Sequence, residues 1–415
     1  MAYPNPMITT DDPRGKKSFD LFLFLACAVL FVFSLHIYHW EYRFVFTDMR
    51  VHARIASEFN FADLHSITSR LAYPLWHLFV AALFQLGVPI AWASAIVCAC
   101  AKTLGMWLAR ALLRALTEGR VHRHVLTLAA FLLMFVTGIL IPGVNDTVYK
   151  GVGSPTVWHN PTQLMVNLSM LLCVPYIAHV WQEFLRRLPV QKERAALPWK
   201  KAAFLSALLM FSLSCKPTFI QALLPACAVF FLVEWIRHPQ NSRFFLGMIL
   251  VFLPAALYFL LQYLYYTGVV VEYTSGVVFG ATWQTAWASL RGMLVMAAFP
   301  LYALVCCPKK GMFKDPMLVI TLAMVVCSVL EAMFFRETGI RKGHGNFNWA
   351  GMSSALMLWV LMLGKFLASF AAFLRSGQRP RGRWAAYGVG FGLLAWHAYS
   401  GFYYVYYLFQ SRNAF

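Results

Sequence analysis

Asp48 and His52 stand four residues apart in the stretch FTDMRVHAR. On a helix that spacing puts both side chains on one face. A carboxylate there can take a proton from an acceptor hydroxyl, provided that burial or a neighbour tunes it. The bland alternative is a solvated Asp on an interfacial helix. His77, in YPLWH, can hydrogen-bond a phosphate or a carboxylate; equally it can be the polar tip of an amphipathic helix. Asp146 and the string Trp158-His159-Asn160-Pro161-Thr162 form a second cluster. Asn160 precedes a proline and is held out of the helical region, while Pro161 suits a first helical turn. Helix N-termini attract anions. His159 and Asn160 therefore make either a phosphate or sugar site or a plain helix cap. Lys216, in SCKPTF, is almost alone in apolar surroundings. It suits a pyrophosphate or lipid phosphate, or serves as an interfacial anchor. Arg341, Lys342 and His344, in RETGIRKGHGNFNW, either add phosphate contacts or form a solvated basic loop.

The elements that must position these groups are membrane spans. The 415 residues are 60% hydrophobic and 12% charged, with mean hydropathy +0.62. A helix needs about 20 apolar residues to cross the hydrocarbon core, and the chain supplies about eleven such runs. They lie near 20–39, 91–113, 124–142, 162–182, 201–215, 217–235, 244–267, 289–306, 316–334, 350–372 and 385–409. The expected class is an all-α polytopic membrane protein; the alternation of a β-barrel is absent. A single transmembrane domain is expected over 1–415, without the internal symmetry of many transporters. Arg14, Lys16 and Lys17 precede the apolar run from Leu21 to Leu35. No small-residue cleavage site follows, so this run is expected to stay as the first span.

The net charge of +19 takes its meaning from placement. Basic residues cluster in short loops, such as Arg110, Arg114, Arg120 and Arg123, or Arg375, Arg379, Arg381 and Arg383. That is the positive-inside pattern, and no nucleic-acid partner is expected. The bias holds only if 74–88 (PLWHLFVAALFQLGV), too short to cross easily, is an interfacial or re-entrant helix on the outer side. The N-terminus is then cytoplasmic in a multi-pass inner-membrane protein. Residues 40–90 become a long extracytoplasmic loop with juxtamembrane helices. All the candidate groups fall on that outer face, and ionisable groups gathered at one membrane face point to an active site. The run FYYVYY from Phe402 to Tyr407 fits an aromatic belt there. The nine cysteines lie in or beside apolar spans and are read as small core residues, with no zinc spacing or disulfide framework. Glu331, near the outer end of a span, needs a cationic partner; Arg336 and Lys216 are the candidates.

TDMRVHARIA from Thr47 and YPLWHLFVAALF from Tyr73 resemble the D-x-x-x-H and P-L-x-H patterns of some bacterial GT-C integral-membrane glycosyltransferases. The motifs cover roughly residues 20–115, and the architecture covers the whole chain. That class places an acidic motif just after the first span, in a long outer loop with juxtamembrane helices. The resemblance implies a GT-C-like fold and a polyprenyl-phosphate-linked sugar as donor. It also implies transfer on the extracytoplasmic side to a cell-envelope glycan, lipid or protein acceptor, among membrane lipids. Asp48 matches the catalytic base of the class, with His52 beside it. His77, Asp146, His159, Asn160, Lys216, Arg341, Lys342 and His344 are the candidate donor-phosphate and substrate groups. Asp48 stands alone where members carry paired acids. No metal-ligating set is therefore nominated, dependence on a divalent metal stays open, and no other cofactor is expected. The chain lacks the large C-terminal soluble domain of some members, which argues against a peptide-sequon oligosaccharyltransferase. Two alternatives stand beside this one. An O-antigen-type polymerase or ligase would carry its key loop late in the chain. A lipid-linked sugar transporter or flippase would use charges within spans, for which Lys102, Glu331 and Lys365 are the candidates.

Overall fold

The computed structural model describes residues 20–68, 71–144, 153–191, 196–264, 276–307, 311–339, 345–377 and 380–410. Within them the chain is an all-α polytopic membrane protein. Seven helices are long and apolar enough to cross a membrane: α1 (Leu21–Phe44), α5 (Ile90–Thr117), α7 (Pro161–Gln191), α9 (Thr218–Arg237), α10 (Ser242–Leu264), α13 (Pro316–Phe334) and α14 (Asn348–Arg375). Helices α11 (Trp283–Met296) and α12 (Ala298–Cys306) pass the same test together, bent by 69°, and make an eighth if they are one span. Helices α8 (Trp199–Cys215) and α15 (Arg381–Gln410), expected as spans, lie outside that set. Helix α4 (Leu75–Gln85) has 11 residues. That is about 16 Å of helix, half of the roughly 30 Å of a hydrocarbon core.

The run expected to span 124–142 is helical only in its first part, α6 (Arg123–Leu133). Val136, Thr137, Gly138 and Ile139, with Pro142 beyond, are poor helix continuers. The chain goes on without helix from Val136 to Ile141. Buried irregular backbone must find its hydrogen bonds within the protein, and here four of its groups do. Thr156 Oγ1 donates to the Val136 carbonyl at 2.6 Å, and His397 Nδ1 donates to the Thr137 carbonyl at 2.6 Å. Ile139 N donates to the Val295 carbonyl at 3.2 Å, and Leu140 N to Ser400 Oγ at 3.0 Å. Helix α15 approaches this segment so closely that a Cβ on Gly401 would overlap the Phe135 carbonyl.

Helix α14 is buried along most of its length, from Trp349 to Phe366. A helix apolar on every side needs such a central place. Helix α1 instead leaves Leu25, Val29 and Val32 more than half exposed, and α10 leaves Leu250 and Leu261 so. Surfaces of this kind suit lipid rather than water.

The two ends of the bundle differ. At one end, ion pairs clasp helix termini. Arg110 of α5 meets Asp20, the cap of α1, at 2.6 Å, and Lys365 of α14 meets Asp315, the cap of α13, at 2.7 Å. Arg375 of α14 donates to the Arg120 carbonyl. At the other end lie the C-terminus of α1, the starts of α5, α7, α9 and α14, and the short helices α2 (Asp48–Ser57) and α4. Helices α1 and α5 are thus antiparallel neighbours with α4 between them in sequence. That arrangement is the one expected if 74–88 does not cross.

Candidate active site

Helix α2 is started by Thr47, whose Oγ1 accepts a hydrogen bond from Met49 N at 3.2 Å. Asp48 then occupies the first turn, where the helix dipole favours a carboxylate. His52 follows one turn later on the same face. Met49, Ala53 and Ala56 are buried and seat the helix on the bundle. His52 Nδ1 meets His77 Nε2 of α4 at 2.9 Å, one ring donating and the other accepting. Burial lowers the His52 pKa to about 4; Asp48 opposes that shift and Lys216 reinforces it. Near neutral pH His52 is therefore uncharged.

Asn160 caps α7 and reaches the site as well. Its Oδ1 accepts from Gln163 N at 3.0 Å, the usual N-cap bond, from Thr162 Oγ1 at 2.9 Å, and from Lys216 Nζ at 3.4 Å. Three donors on Oδ1 leave the amide nitrogen facing Asp48, and Nδ2 donates to Asp48 Oδ2 at 2.5 Å. Cap and site residue are the same side chain. Lys216 sits in extended backbone between α8 and α9, 7% exposed, with Nζ 4.1 Å from the Trp349 ring. A cation over an indole face is attracted by the ring quadrupole. Burial brings the Lys216 pKa down to about 8, against the pull of Asp48. His159 is buried, with Nδ1 2.5 Å from the Tyr404 hydroxyl of α15. Burial lowers its pKa to about 4, with Asp48 opposing and Lys216 reinforcing. Gln163 ties the neighbourhood together: Nε2 donates to Ser353 Oγ of α14 at 2.6 Å, and Oε1 accepts from Thr218 Oγ1 of α9 at 3.2 Å.

A second polar layer touches the first, and sequence reasoning does not reach most of it. Ser34, Tyr38 and Glu41 form a row on the buried side of α1, and Ser94, Cys98 and Lys102 are buried on α5, which packs against it. Lys102 Nζ lies 3.8 Å from the Trp158 ring and 3.5 Å from the Val157 carbonyl. It thereby holds the loop that carries His159 and Asn160. Glu41 is fully buried, and neither carboxylate oxygen has a hydrogen-bond partner among the described residues. The available signal was a polar row at helical spacing inside an apolar span.

Six of the ten nominated residues meet here: Asp48, His52, His77, His159, Asn160 and Lys216. Asp146, Arg341, Lys342 and His344 lie outside the described residues. Glu331 has no cationic partner among the described residues, contrary to expectation. Lys216 is drawn to Asn160 instead, and Arg336 lies in a short strand, Phe335–Glu337, paired antiparallel with Val277–Phe279. Lys365 belongs to the clasp with Asp315. Among the described residues no group of three or more His, Cys, Asp or Glu side chains is placed to hold a metal ion.

Chemically, the cluster offers a carboxylate held by one oxygen, a buried cation, and imidazoles that are neutral near pH 7. The second oxygen of Asp48 accepts no hydrogen bond from the described residues, which leaves it able to take a proton. In comparisons with known proteins, no family model and no curated protein matches the chain.

Proposed function

We propose that the protein is a membrane glycosyltransferase that moves a sugar from a polyprenyl-phosphate donor to an extracytoplasmic acceptor. The proposed architecture is GT-C-like, with about eleven crossings; one of them combines α6 with the extended segment after it. The N-terminus lies in the cytoplasm and the Asp48 end faces outward.

Asp48 takes the proton from an acceptor hydroxyl. The hydroxyl oxygen attacks the anomeric carbon, the bond from that carbon to the phosphate oxygen breaks, and the polyprenyl phosphate leaves with the bonding pair. Lys216 stabilises the charge that develops on the departing phosphate, which is where preorganised electrostatics contributes most. His159 and Asn160 orient groups around it. His52, braced by His77, positions the acceptor or Asp48.

The observation that supports this proposal above the others is the contact of Asn160 with both Asp48 and Lys216. That contact holds a carboxylate and a buried lysine on either side of one amide. The test is transfer of radiolabelled sugar from a panel of polyprenyl-phosphate sugars by the purified protein in proteoliposomes. Label should move to an acceptor or to water with the wild-type chain and not with Asp48→Asn. Movement of intact lipid-linked sugar across the bilayer, without glycosyl transfer, would replace the enzyme with a transporter.

A further inference from the structure

Helix α1 ends and α2 begins around a pocket of about 590 Å³ lined by Tyr42, Arg43, Phe44, Arg50, Arg54 and Ser57. Three guanidinium groups share it. Arg50 is fixed in place: Nε donates to the Tyr42 carbonyl at 2.5 Å, and a terminal nitrogen donates to the Arg43 carbonyl. Those carbonyls belong to the last turn of α1, which has no helical donor left for them. Arg43 and Arg54 are exposed. Among the described residues the acid paired with this group is Glu58, 3.5 Å from Arg54 Nε. The pocket keeps a net positive charge, and a guanidinium fork matches phosphate oxygens in geometry as well as sign.

The surroundings indicate which kind of phosphate. Phe44, Phe46 and Val51, in and next to the pocket, are 50%, 53% and 50% exposed. On α1 the face that carries Arg43 runs past His39 and His36 to Val32, Val29 and Leu25 at helical spacing, the last three more than half exposed. An acyl chain can lie along that stripe while its headgroup reaches Arg43. Asp48 and His52 are on the other face of α2, so the pocket is not the catalytic cleft.

We infer that this elbow binds the phosphate headgroup of an anionic membrane lipid, at a site separate from Asp48. The full-length protein, in nanodiscs of phosphatidylcholine doped with phosphatidylglycerol, is the material for the test. Native mass spectrometry would count the phosphatidylglycerol that stays bound on release. The wild-type chain should retain it in preference to phosphatidylcholine. Arg43→Gln with Arg54→Gln should lower retention roughly tenfold, on the scale of basic residues near an anionic surface. Arg381→Gln with Arg383→Gln removes the same charge from exposed arginines elsewhere and should change retention little. Equal loss in both pairs would mean bulk charge attraction and would overturn the site, as would no loss in the first pair. Displacement of the lipid by soluble glycerol phosphate at matched concentration would show a free-phosphate site and overturn the lipid assignment. If the double variant does not fold, the single changes at these two exposed side chains carry the same comparison.

Discussion

The side-chain amide of Asn160 donates to Asp48 Oδ2 at 2.5 Å while its carbonyl oxygen takes Lys216 Nζ at 3.4 Å. The N-cap of a central helix thus connects a carboxylate from the first loop to a lysine from the middle of the chain. Asp48→Asn preserves the shape of the contact and removes the capacity to accept a proton. A general base is worth about 10²- to 10⁴-fold in rate, and Asp48→Asn should lose that much transfer while keeping expression and donor binding. Turnover within about threefold of wild type, against that span, would remove Asp48 from catalysis. His52→Ala should lose less, since its place beside Asp48 and His77 is one of orientation.

Lys216 predicts a pH profile with two opposed signs. Its folded pKa is about 8, below the ordinary lysine value of about 10.4. The cation that would hold a phosphate is therefore lost as pH rises through about 8, and the apparent KM for donor should climb there. Stability should move the other way. Burial penalises the charged form, so the contribution of Lys216 to stability is lowest below pH 8 and improves as the amine loses its proton. Lys216→Arg keeps its charge across this range and should flatten the alkaline rise in KM. A profile for Lys216→Arg identical to wild type would mean that another group sets the limb.

Much of the site was legible because its residues interrupt apolar sequence. Asp48 and His52 are placed by a four-residue spacing that α2 realises, and Pro161 begins α7 as its fixed φ predicts. The partnership of Asn160 with Asp48 was not legible, since it joins residues 112 positions apart and depends on how α1, α2 and α7 pack. The same limit applied to 124–142: its apolar composition satisfied the length of a span, but composition does not report that its carbonyls would be taken by Thr156 and His397. Glu41 was hidden for the opposite reason. A single acid in an aromatic, His-rich helix end reads as interfacial until the helix is rotated onto α5.

Orientation has a direct test. In a background without native cysteines, single cysteines near Asp146 and Gly345 should react with an impermeant thiol reagent added outside intact cells. Those near Lys192 and Arg381 should react only after the membrane is opened. The reverse pattern would place the Asp48 end in the cytoplasm and exclude an extracytoplasmic acceptor.

Gly401→Ala tests the close approach of α15 to the extended segment. The new methyl would meet the Phe135 carbonyl, which is backbone and cannot swing aside. Overpacking of this kind costs about 1–3 kcal/mol, read as a lowered Tm in detergent. Gly392→Ala on the same helix has no atom within 4 Å of the added carbon. It should be neutral or gain up to about 1 kcal/mol through helix propensity. Equal behaviour of the two variants would mean that the segment 135–141 does not pack as described.

Lys102, buried on α5 against the Trp158 ring, carries an energetic prediction. Lys102→Met removes the contact with the Trp158 ring and the hydrogen bond to the Val157 carbonyl. Leaving that buried carbonyl without its donor costs about 1–3 kcal/mol, read as a lowered Tm in detergent. Glu41→Gln should be milder, because Lys102 keeps the Trp158 ring and the Val157 carbonyl. Glu41 and Lys102 share no hydrogen bond or ion pair among the described residues, so in the double variant Glu41→Gln with Lys102→Met the two stability changes should add. Transfer activity should stay low in the double variant, because the loop bearing His159 and Asn160 has lost its anchor. Stabilities that fail to add across the four proteins would show that Glu41 and Lys102 are coupled, and full activity in the double variant would show that Lys102 does not position the loop.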